Sequence, residues 1–373
     1  MSRGNGEGTV YQRQDGRWVG AVVVEGRRRA AYGRTREAAA VKLRQLQQQA
    51  SSGLPAVDQR ATVASYLSRW LEEVTPRLRP STAARYRGLV TRQIIPAVGR
   101  IKLYQLQPSD VTSMLVKVQR DGLSARTASH CRAVLRAALS DAQRDALLSR
   151  NVARLADPVH LAPPAPTVLS PEQAWAVLDA CGEPGLQRLV GTALWTGLRL
   201  GEELGLTWPD IDFEGRCLHV RHALQRLGGA YSLVEPKSAS SRRTLALPEA
   251  ALTALEEQRH WQVEARLAAG GRWHQPIPGL VFTTSTGQPR NGTTLTHLLQ
   301  DALERAGLPR LRWHDLRAAH GSLLLAGGVD ISVVSRRLGH SSVSLTSRHY
   351  GGVADALQQA AADRLGTMLQ RPG

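Results

Sequence analysis

The sequence has little of what several protein classes require. Only three of its 373 residues are cysteine, and Cys131, Cys181 and Cys217 are scattered without a CxxC pair. We therefore expect reduced core residues, with neither a disulfide framework nor a zinc site. There is no long apolar run and no signal-like N-terminus. Both absences argue against a membrane protein and favour a cytoplasmic location.

Two catalytic motifs are also missing. The sequence contains no glycine-rich Walker loop, and its carboxylates do not cluster as they do where two metal ions are held. These absences argue against an NTPase and against a two-metal nuclease.

What the sequence does have is positive charge. Lys and Arg number 48 against 31 Asp and Glu, for a net charge of +17. Such an excess suits a polyanionic partner, and nucleic acid is the commonest one. A membrane surface is the rival partner, but the chain shows no terminal basic amphipathic anchor.

Length and composition divide the chain into three predicted domains, residues 1–55, 59–157 and 168–373. The first combines three strand-like runs, two of them joined by an Asp15-Gly16 hairpin signal, with a helix over residues 36–49. A Ser/Gly/Pro linker precedes the second domain, and the Pro-rich residues 158–166 follow it.

Apolar spacing predicts four helices in the second domain. The first begins near Val63, the second runs from Pro80 to just before Pro96, the third begins at Pro108, and the longest runs from Ser124 to about Leu148.

The third domain is predicted to mix helices and short strands. Ser170 and Gln173 have the spacing of a capping box at a helix start. Strands are expected at residues 217–225, 230–234 and 243–247, with Lys237 on the loop before the last of them.

Polar residues that could meet around one phosphate recur near the C-terminal end of the chain. His314 and Arg317 are three residues apart, so they share a face of a helix. An arginine fork suits two phosphate oxygens. The hydroxyl of Tyr350 would need a base and a positive environment to attack, because a tyrosine pKa is about 10. Taken singly, these residues could equally cap helices, pair with carboxylates or pack.

More of this set lies upstream. Arg199 is predicted at a helix start, where Glu202 can hold it. Six residues then occur in a recognisable order: Arg199, Lys237, His314, Arg317, His340 and Tyr350. This ordered set, with its flanks, resembles the tyrosine recombinases, also called the phage integrase family.

The resemblance implies a multidomain, mainly α fold with small β-sheets. Residues 1–55 would be an arm-type DNA-binding domain with a three-stranded sheet and a helix. Residues 59–157 would be a helical, SAM-like core-binding domain, and residues 168–373 a mixed α+β catalytic domain. The implied function is that of a site-specific DNA recombinase that integrates and excises a phage or mobile element.

The resemblance also assigns roles. Arg199, Arg317 and His340 would bind the scissile phosphate, with Glu202 orienting Arg199. Tyr350 would attack phosphorus and leave a 3′-phosphotyrosine. Lys237 would protonate the departing 5′-oxygen, and His314 would take the tyrosine proton. Each step exchanges one phosphoester for another, so we expect no nucleotide and no metal ion as cofactor.

The implied partners are double-stranded DNA attachment sites and three further copies of the chain, as a homotetramer in the bacterial cytoplasm. A recombination directionality factor and a host DNA-bending protein are further expected candidates. Exposed arginines would contact DNA, although any of them could be a plain solvated charge. These are Arg13, Arg17, Arg28, Arg79 and Arg126.

Some features leave alternatives open. Residues 318–322 depart from the family's usual run after the HxxR motif, and we expect them to pack rather than react. His349 competes with His314 as base, and Tyr231 is the other tyrosine of the catalytic domain. A helix predicted over residues 353–369 could dock on its own domain or on a neighbouring protomer.

Three other functions are compatible with the same resemblance. One is a transposon or conjugative-element resolvase, and another is a type IB topoisomerase, which relaxes DNA without site preference. The third is a DNA-binding regulator that keeps the fold and has lost strand transfer. The filled catalytic positions favour the integrase.

Overall fold

The computed structural model of the chain describes residues 8–24, 27–51, 60–161, 169–236, 239–340 and 342. Two compact units are present, Met1–Pro163 and Pro164–Gly373. As predicted, the described residues are mainly helical with small β-sheets. The separation of residues 1–55 from 59–157 stays a prediction. None of the described helices has both the length and the apolar composition needed to cross a membrane.

The first unit begins with a three-stranded antiparallel sheet and one helix. These elements are β1 (Thr9–Gln12), β2 (Trp18–Val24), β3 (Arg27–Gly33) and α1 (Arg36–Ser51). The turn between β1 and β2 contains Asp15 and Gly16, as the hairpin signal predicts; the Gly16 N–H donates to the carbonyl of Arg13 at 3.0 Å, and Gly16 has a φ of 78°. Val19 on β2 is buried, as are Ala39 and Leu43 on α1, which contacts the sheet.

The remainder of this unit is helical where it is described. Its α-helices are α2 (Val63–Val74), α3 (Pro80–Leu89), α4 (Ile95–Val98), α5 (Pro108–Arg120), α6 (Ala125–Arg144) and α7 (Val152–Leu155). One apolar core unites them and includes Leu67, Leu115 and Leu135. The Tyr66 hydroxyl donates to the carbonyl of Ala138 at 2.7 Å and so ties α2 to α6.

Two helix boundaries differ from their predictions. The chain does not stop being helical before Pro96, because a π-type turn at Val90–Ile94 leads directly into α4. Pro96 lies within this continuous helical stretch, directly after the π-type turn, and has no N–H to donate to it. The helix predicted from Ser124 to about Leu148 is α6, which ends at Arg144, earlier than predicted, since Ala146 adopts a φ of 56°.

In the part of the second unit that the structure describes, helices and two small sheets pack around a larger core. Its helices are α8 (Pro171–Ala180), α9 (Pro184–Thr196), α10 (Leu200–Leu204), α11 (Glu249–Ala269), α12 (Gly292–Arg305), α13 (Trp313–Ala326) and α14 (Ile331–Leu338). Its strands are β4 (Ile211–Asp212), β5 (Cys217–Val220), β6 (Ala223–Leu227), β7 (Ala230–Val234) and β8 (Arg243–Ala246). Ser170 and Gln173 form the predicted capping box on α8.

The strand predicted at residues 217–225 is two strands. β5 lies between β4 and β8, whereas β6 pairs with β7. Arg221 and His222 lie between the two strands, and the Arg221 guanidinium is 3.2 Å from the buried carboxylate of Asp210. Pairing with different partners explains why one continuous strand does not form. The predicted helix at residues 353–369 lies outside the described residues.

The helical core of the first unit makes a testable prediction. Leu135 is fully buried on α6, whereas Leu155 on α7 is 58% exposed. Leu135→Ala should lower the free energy of unfolding by about 2–5 kcal/mol, because it removes buried methyl groups and leaves a cavity. Leu155→Ala should change it by less than about 1 kcal/mol. Urea denaturation followed by circular dichroism measures both, and equal losses would contradict the assigned core.

Candidate active site

The start of α10 presents a paired arginine. Arg199 is the residue before the helix, and its Nη1 lies 2.6 Å from Glu202 Oε1. The Arg199 backbone N–H also donates to Glu202 Oε2, at 3.1 Å. The Arg199 side chain is 39% exposed and that of Glu202 only 4%. A buried carboxylate thus fixes an arginine that an anion in solution can still reach.

A second arginine shares the same carboxylate. Arg243, on β8, has an exposed side-chain fraction of 7% and places its Nη2 3.0 Å from Glu202 Oε2. Burial alone would raise the pKa of Glu202, but the charges of Arg243 and Arg199 outweigh it and hold that pKa below its usual range. Glu202 therefore stays ionised between two cations.

The first turn of α13 is capped by an ion pair. Arg312 precedes the helix and pairs with the buried carboxylate of Asp315, with Nη2 to Oδ1 at 2.7 Å and Nε to Oδ2 at 3.0 Å. Asp315 Oδ2 also accepts from the Arg312 backbone N–H, at 2.7 Å. This cap fixes the turn that carries His314, which is exposed. Arg317 lies on the same helix but is only 2% exposed.

Arg317 connects the C-terminal ends of α9 and α14 through their backbones. Its Nη1 donates to the carbonyl of Gly197 at 2.7 Å, and its Nη2 donates to the carbonyl of Leu338. Gly197 ends α9 at a φ of 65°, and a β-carbon there would lie 2.5 Å from the ring of His320. Glycine is therefore required two residues before Arg199.

Three arginine side chains bind the C-terminal end of α14. Three successive carbonyls at this end accept hydrogen bonds from different guanidinium groups. The carbonyl of Arg337 accepts from Arg243 Nε at 2.6 Å, that of Leu338 accepts from Arg317, and that of Gly339 accepts from Arg199 Nη2 at 3.3 Å. The final carbonyls of a helix have no partner within the helix and carry partial negative charge, so they suit cationic donors. His340 follows directly and is half-buried.

The predicted site residues are thus only partly described. Arg199, Glu202, Arg317 and the segment that leads into His340 are joined by these contacts, and His314 lies one turn before Arg317. Lys237, Tyr350 and His349 lie outside the described residues. Their roles stay predictions.

The arginines predicted to contact DNA lie on the surface of the first unit. They are Arg13, Arg17, Arg28, Arg79 and Arg126. Arg28 donates to the Tyr11 hydroxyl at 2.9 Å and lies over its ring, whereas Arg13 is 3.9 Å from the Asp15 carboxylate. All five side chains are exposed, as contact with DNA requires.

Sequence reasoning missed a buried pair that joins α10 to α13. Trp313 Nε1 donates to Glu203 Oε2 at 2.9 Å, and Glu203 is fully buried. Its Oε1 has no hydrogen-bond partner among the described residues. Burial raises the pKa of Glu203 well above its usual range, and the hydrogen bond from Trp313 offsets only part of this. The pKa values of two adjacent glutamates, Glu202 and Glu203, are therefore shifted in opposite directions.

Comparison with known families agrees with this arrangement. The phage integrase family matches residues 168–356, and the N-terminal SAM-like domain of phage integrases matches residues 62–117. The chain belongs to the phage integrase, or tyrosine recombinase, family. It is a tyrosine-type site-specific recombinase of the integrase kind, and members of this family cleave and rejoin DNA strands.

Curated relatives match over nearly the whole chain. A tyrosine recombinase XerC-like protein of Caldanaerobacter subterraneus subsp. tengcongensis is 28% identical over 364 residues, which cover 92% of each protein. An integrase of Streptomyces ambofaciens is 29% identical over 368 residues, covering 94% of this chain and 92% of the relative.

Solved structures share the fold. The integrase of transposon Tn1549, bound to circular intermediate DNA, superposes with a TM-score of 0.70 at 22% identity, over 82% of this chain and 99% of the other. A lambda integrase dimer bound to a core site gives a TM-score of 0.58 at 17% identity, over 94% and 96%.

The raised pKa of Glu203 predicts a pH effect on stability. As pH rises above about 4.3, the unfolded chain ionises Glu203 while the folded chain does not, so the free energy of unfolding of the wild type falls until pH passes the raised folded-state pKa. Glu203→Gln keeps an acceptor for Trp313 and removes the titration. Its melting temperature relative to wild type should therefore rise between pH 5 and pH 8.

The matched control is Glu256→Gln, which removes the same charge from an exposed position on α11. It should show no comparable rise. Parallel pH profiles for Glu203→Gln and wild type would contradict a neutral Glu203.

Proposed function

We propose that this chain cuts and rejoins duplex DNA at specific attachment sites through a covalent bond between Tyr350 and a 3′-phosphate, and so integrates and excises a phage or mobile element. The observation that carries the proposal is the convergence of Arg199 and Arg317 on the end of α14, directly before His340. These two arginines and the histidine can surround one phosphate with hydrogen-bond donors.

The phosphate is held by charge that is fixed in advance. Arg199 is oriented by Glu202 and remains 39% exposed, so its guanidinium can bind a non-bridging oxygen. Arg317 acts from the buried side, and His340 adds a third donor. Donors that are already ordered stabilise the extra negative charge of the transition state without reorganising. Removing one such donor typically costs about 2.7–4 kcal/mol of activation free energy.

The covalent step exchanges one ester for another. The Tyr350 oxygen forms a bond to phosphorus while the bond from phosphorus to the 5′-oxygen breaks. His314 takes the phenol proton, which its exposed position allows, and Lys237 gives a proton to the departing 5′-oxygen. Attack by the 5′-hydroxyl of a partner strand reverses the step and releases Tyr350. Since no net hydrolysis occurs, the reaction draws on no nucleotide.

DNA binding follows from the surface charge. The net charge of +17 favours phosphate contacts, and we assign them to exposed arginines of the first unit. These are Arg13, Arg17, Arg28, Arg79 and Arg126. Lambda integrase has been solved as a dimer on a core site and as a tetramer on a Holliday junction. By analogy this chain would act as a homotetramer on DNA, with a directionality factor and a host DNA-bending protein as accessory partners.

The proposal is tested by covalent trapping on a nicked suicide substrate built from the element's own crossover site. Wild-type protein should form an adduct that survives denaturing electrophoresis. Tyr350→Phe should form none, yet should keep its half-site affinity within about two-fold, because binding rests on many phosphate contacts. Tyr231→Phe is the matched control, since Tyr231 lies in β7 and stacks with Arg226. It should form the adduct normally.

An adduct in Tyr350→Phe would exclude Tyr350 as the nucleophile. Tight binding to a verified site without any wild-type adduct would instead indicate a DNA-binding regulator.

The role of Lys237 makes a separate prediction. Lys237→Ala should slow adduct formation on ordinary DNA by about 10²–10⁴-fold, the usual contribution of a general acid. A substrate with sulfur in place of the bridging 5′-oxygen should restore most of the rate, because a thiol with a pKa of about 8.5 leaves without protonation. Arg199→Ala should be rescued far less. Equal rescue of both variants, or none of Lys237→Ala, would contradict this role.

A further inference from the structure

Arg337, on the last turn of α14, reaches three other elements with one side chain. Its Nε donates to His320 Nε2 on α13 at 3.1 Å. Its Nη2 donates to the carbonyl of Trp195 near the end of α9 at 3.1 Å, and to that of Ala246 at the end of β8 at 3.0 Å. One guanidinium group therefore links α14 to α13, α9 and β8.

His320 has the tautomer that this contact needs. Its Nδ1 is 2.7 Å from the carbonyl of Leu194, and because a carbonyl only accepts, Nδ1 must carry the proton. Nε2 therefore offers a lone pair to Arg337. Burial, together with the charge of Arg337, lowers the pKa of His320 to about 4, so the ring is neutral at neutral pH. A neutral, buried acceptor is thus aimed at the Arg337 guanidinium.

The anchored helix end is the one on which the site arginines converge. The carbonyls of Arg337, Leu338 and Gly339 accept from Arg243, Arg317 and Arg199, respectively. Any shift of this helix end therefore moves the acceptors of all three arginines and also the start of His340. The contacts of the Arg337 side chain with α9 and α13 fix the helix end relative to the elements that lead to Arg199 and carry Arg317.

We propose that Arg337, held by His320, is a positioning residue for strand cleavage: it fixes the end of α14 so that Arg199, Arg317 and His340 bind the same phosphate. The inference rests on the proposed function of the site. Neither side chain need touch DNA. Small displacements of catalytic groups are costly, since about 1 Å can cost roughly 10²-fold in rate.

The test compares variants by the first-order rate of covalent adduct formation at saturating half-site DNA, well below their melting temperatures. Arg337→Lys cannot span three acceptors and should slow the rate about 10- to 100-fold while half-site affinity stays within about two-fold. The matched control is Arg336→Lys, an identical substitution at the exposed neighbouring position. It should stay within about two-fold of wild type.

Two substitutions of His320 separate its contacts. Asn reproduces the position of Nδ1, so His320→Asn keeps the bond to Leu194 and loses the acceptor for Arg337. Gln reproduces the position of Nε2, so His320→Gln keeps that acceptor. We expect His320→Asn to be at least about five-fold slower than His320→Gln. In the double variant Arg337→Lys/His320→Asn the two reductions in rate should not add, because both substitutions break the same contact between Arg337 and His320.

Rates of Arg337→Lys and His320→Asn within about two-fold of wild type would overturn the inference. So would a loss in Arg336→Lys equal to that in Arg337→Lys. If Arg337→Lys loses half-site binding, the two His320 variants decide, since both keep Arg337. Absence of a wild-type adduct would instead be a failure of the proposed function, which the same gels reveal separately.

Discussion

The site depends on the last carbonyls of α14, which have no hydrogen-bond partner within the helix. These carbonyls, on Arg337, Leu338 and Gly339, must find donors outside the helix, and three arginines from three different elements supply them. Mutual repulsion would otherwise keep these guanidinium groups apart. The negative end of the helix and the carboxylate of Glu202 together make their close approach favourable. A phosphate can then be bound by positive charge that the protein has already assembled.

The buried ionisable groups are arranged consistently with that purpose. Glu202 is kept charged, because it neutralises Arg199 and Arg243. Burial raises the pKa of Glu203 and lowers that of His320, so it favours the uncharged form of both residues, which form hydrogen bonds. An additional carboxylate here would weaken the attraction for DNA, since charges interact strongly in a poorly solvated interior. Burial therefore sets the charge of this region residue by residue.

The sequence predicts the local features and misses the distant ones. Ser170 with Gln173, and Asp15 with Gly16, depend on neighbours within a few residues, so their cap and hairpin are readable directly. Family order supplies Arg199, Arg317 and His340 as candidates. Arg243 and Arg337 resemble surface arginines, because the carbonyls they bind lie far along the chain and leave no periodic signal. The break between β5 and β6 also depends on which strands each one pairs with, so the local sequence does not show it.

The most direct measurement is a crystal structure of the Tyr350→Phe protein bound to a half-site duplex that contains the scissile phosphate. The arrangement at α14 predicts donors of Arg199, Arg317 and His340 within about 3 Å of that phosphate. It also predicts that the carbonyls of Leu338 and Gly339 still accept from the two arginines. A scissile phosphate held by other residues, with Arg199 and His340 directed away from it, would contradict the assigned site.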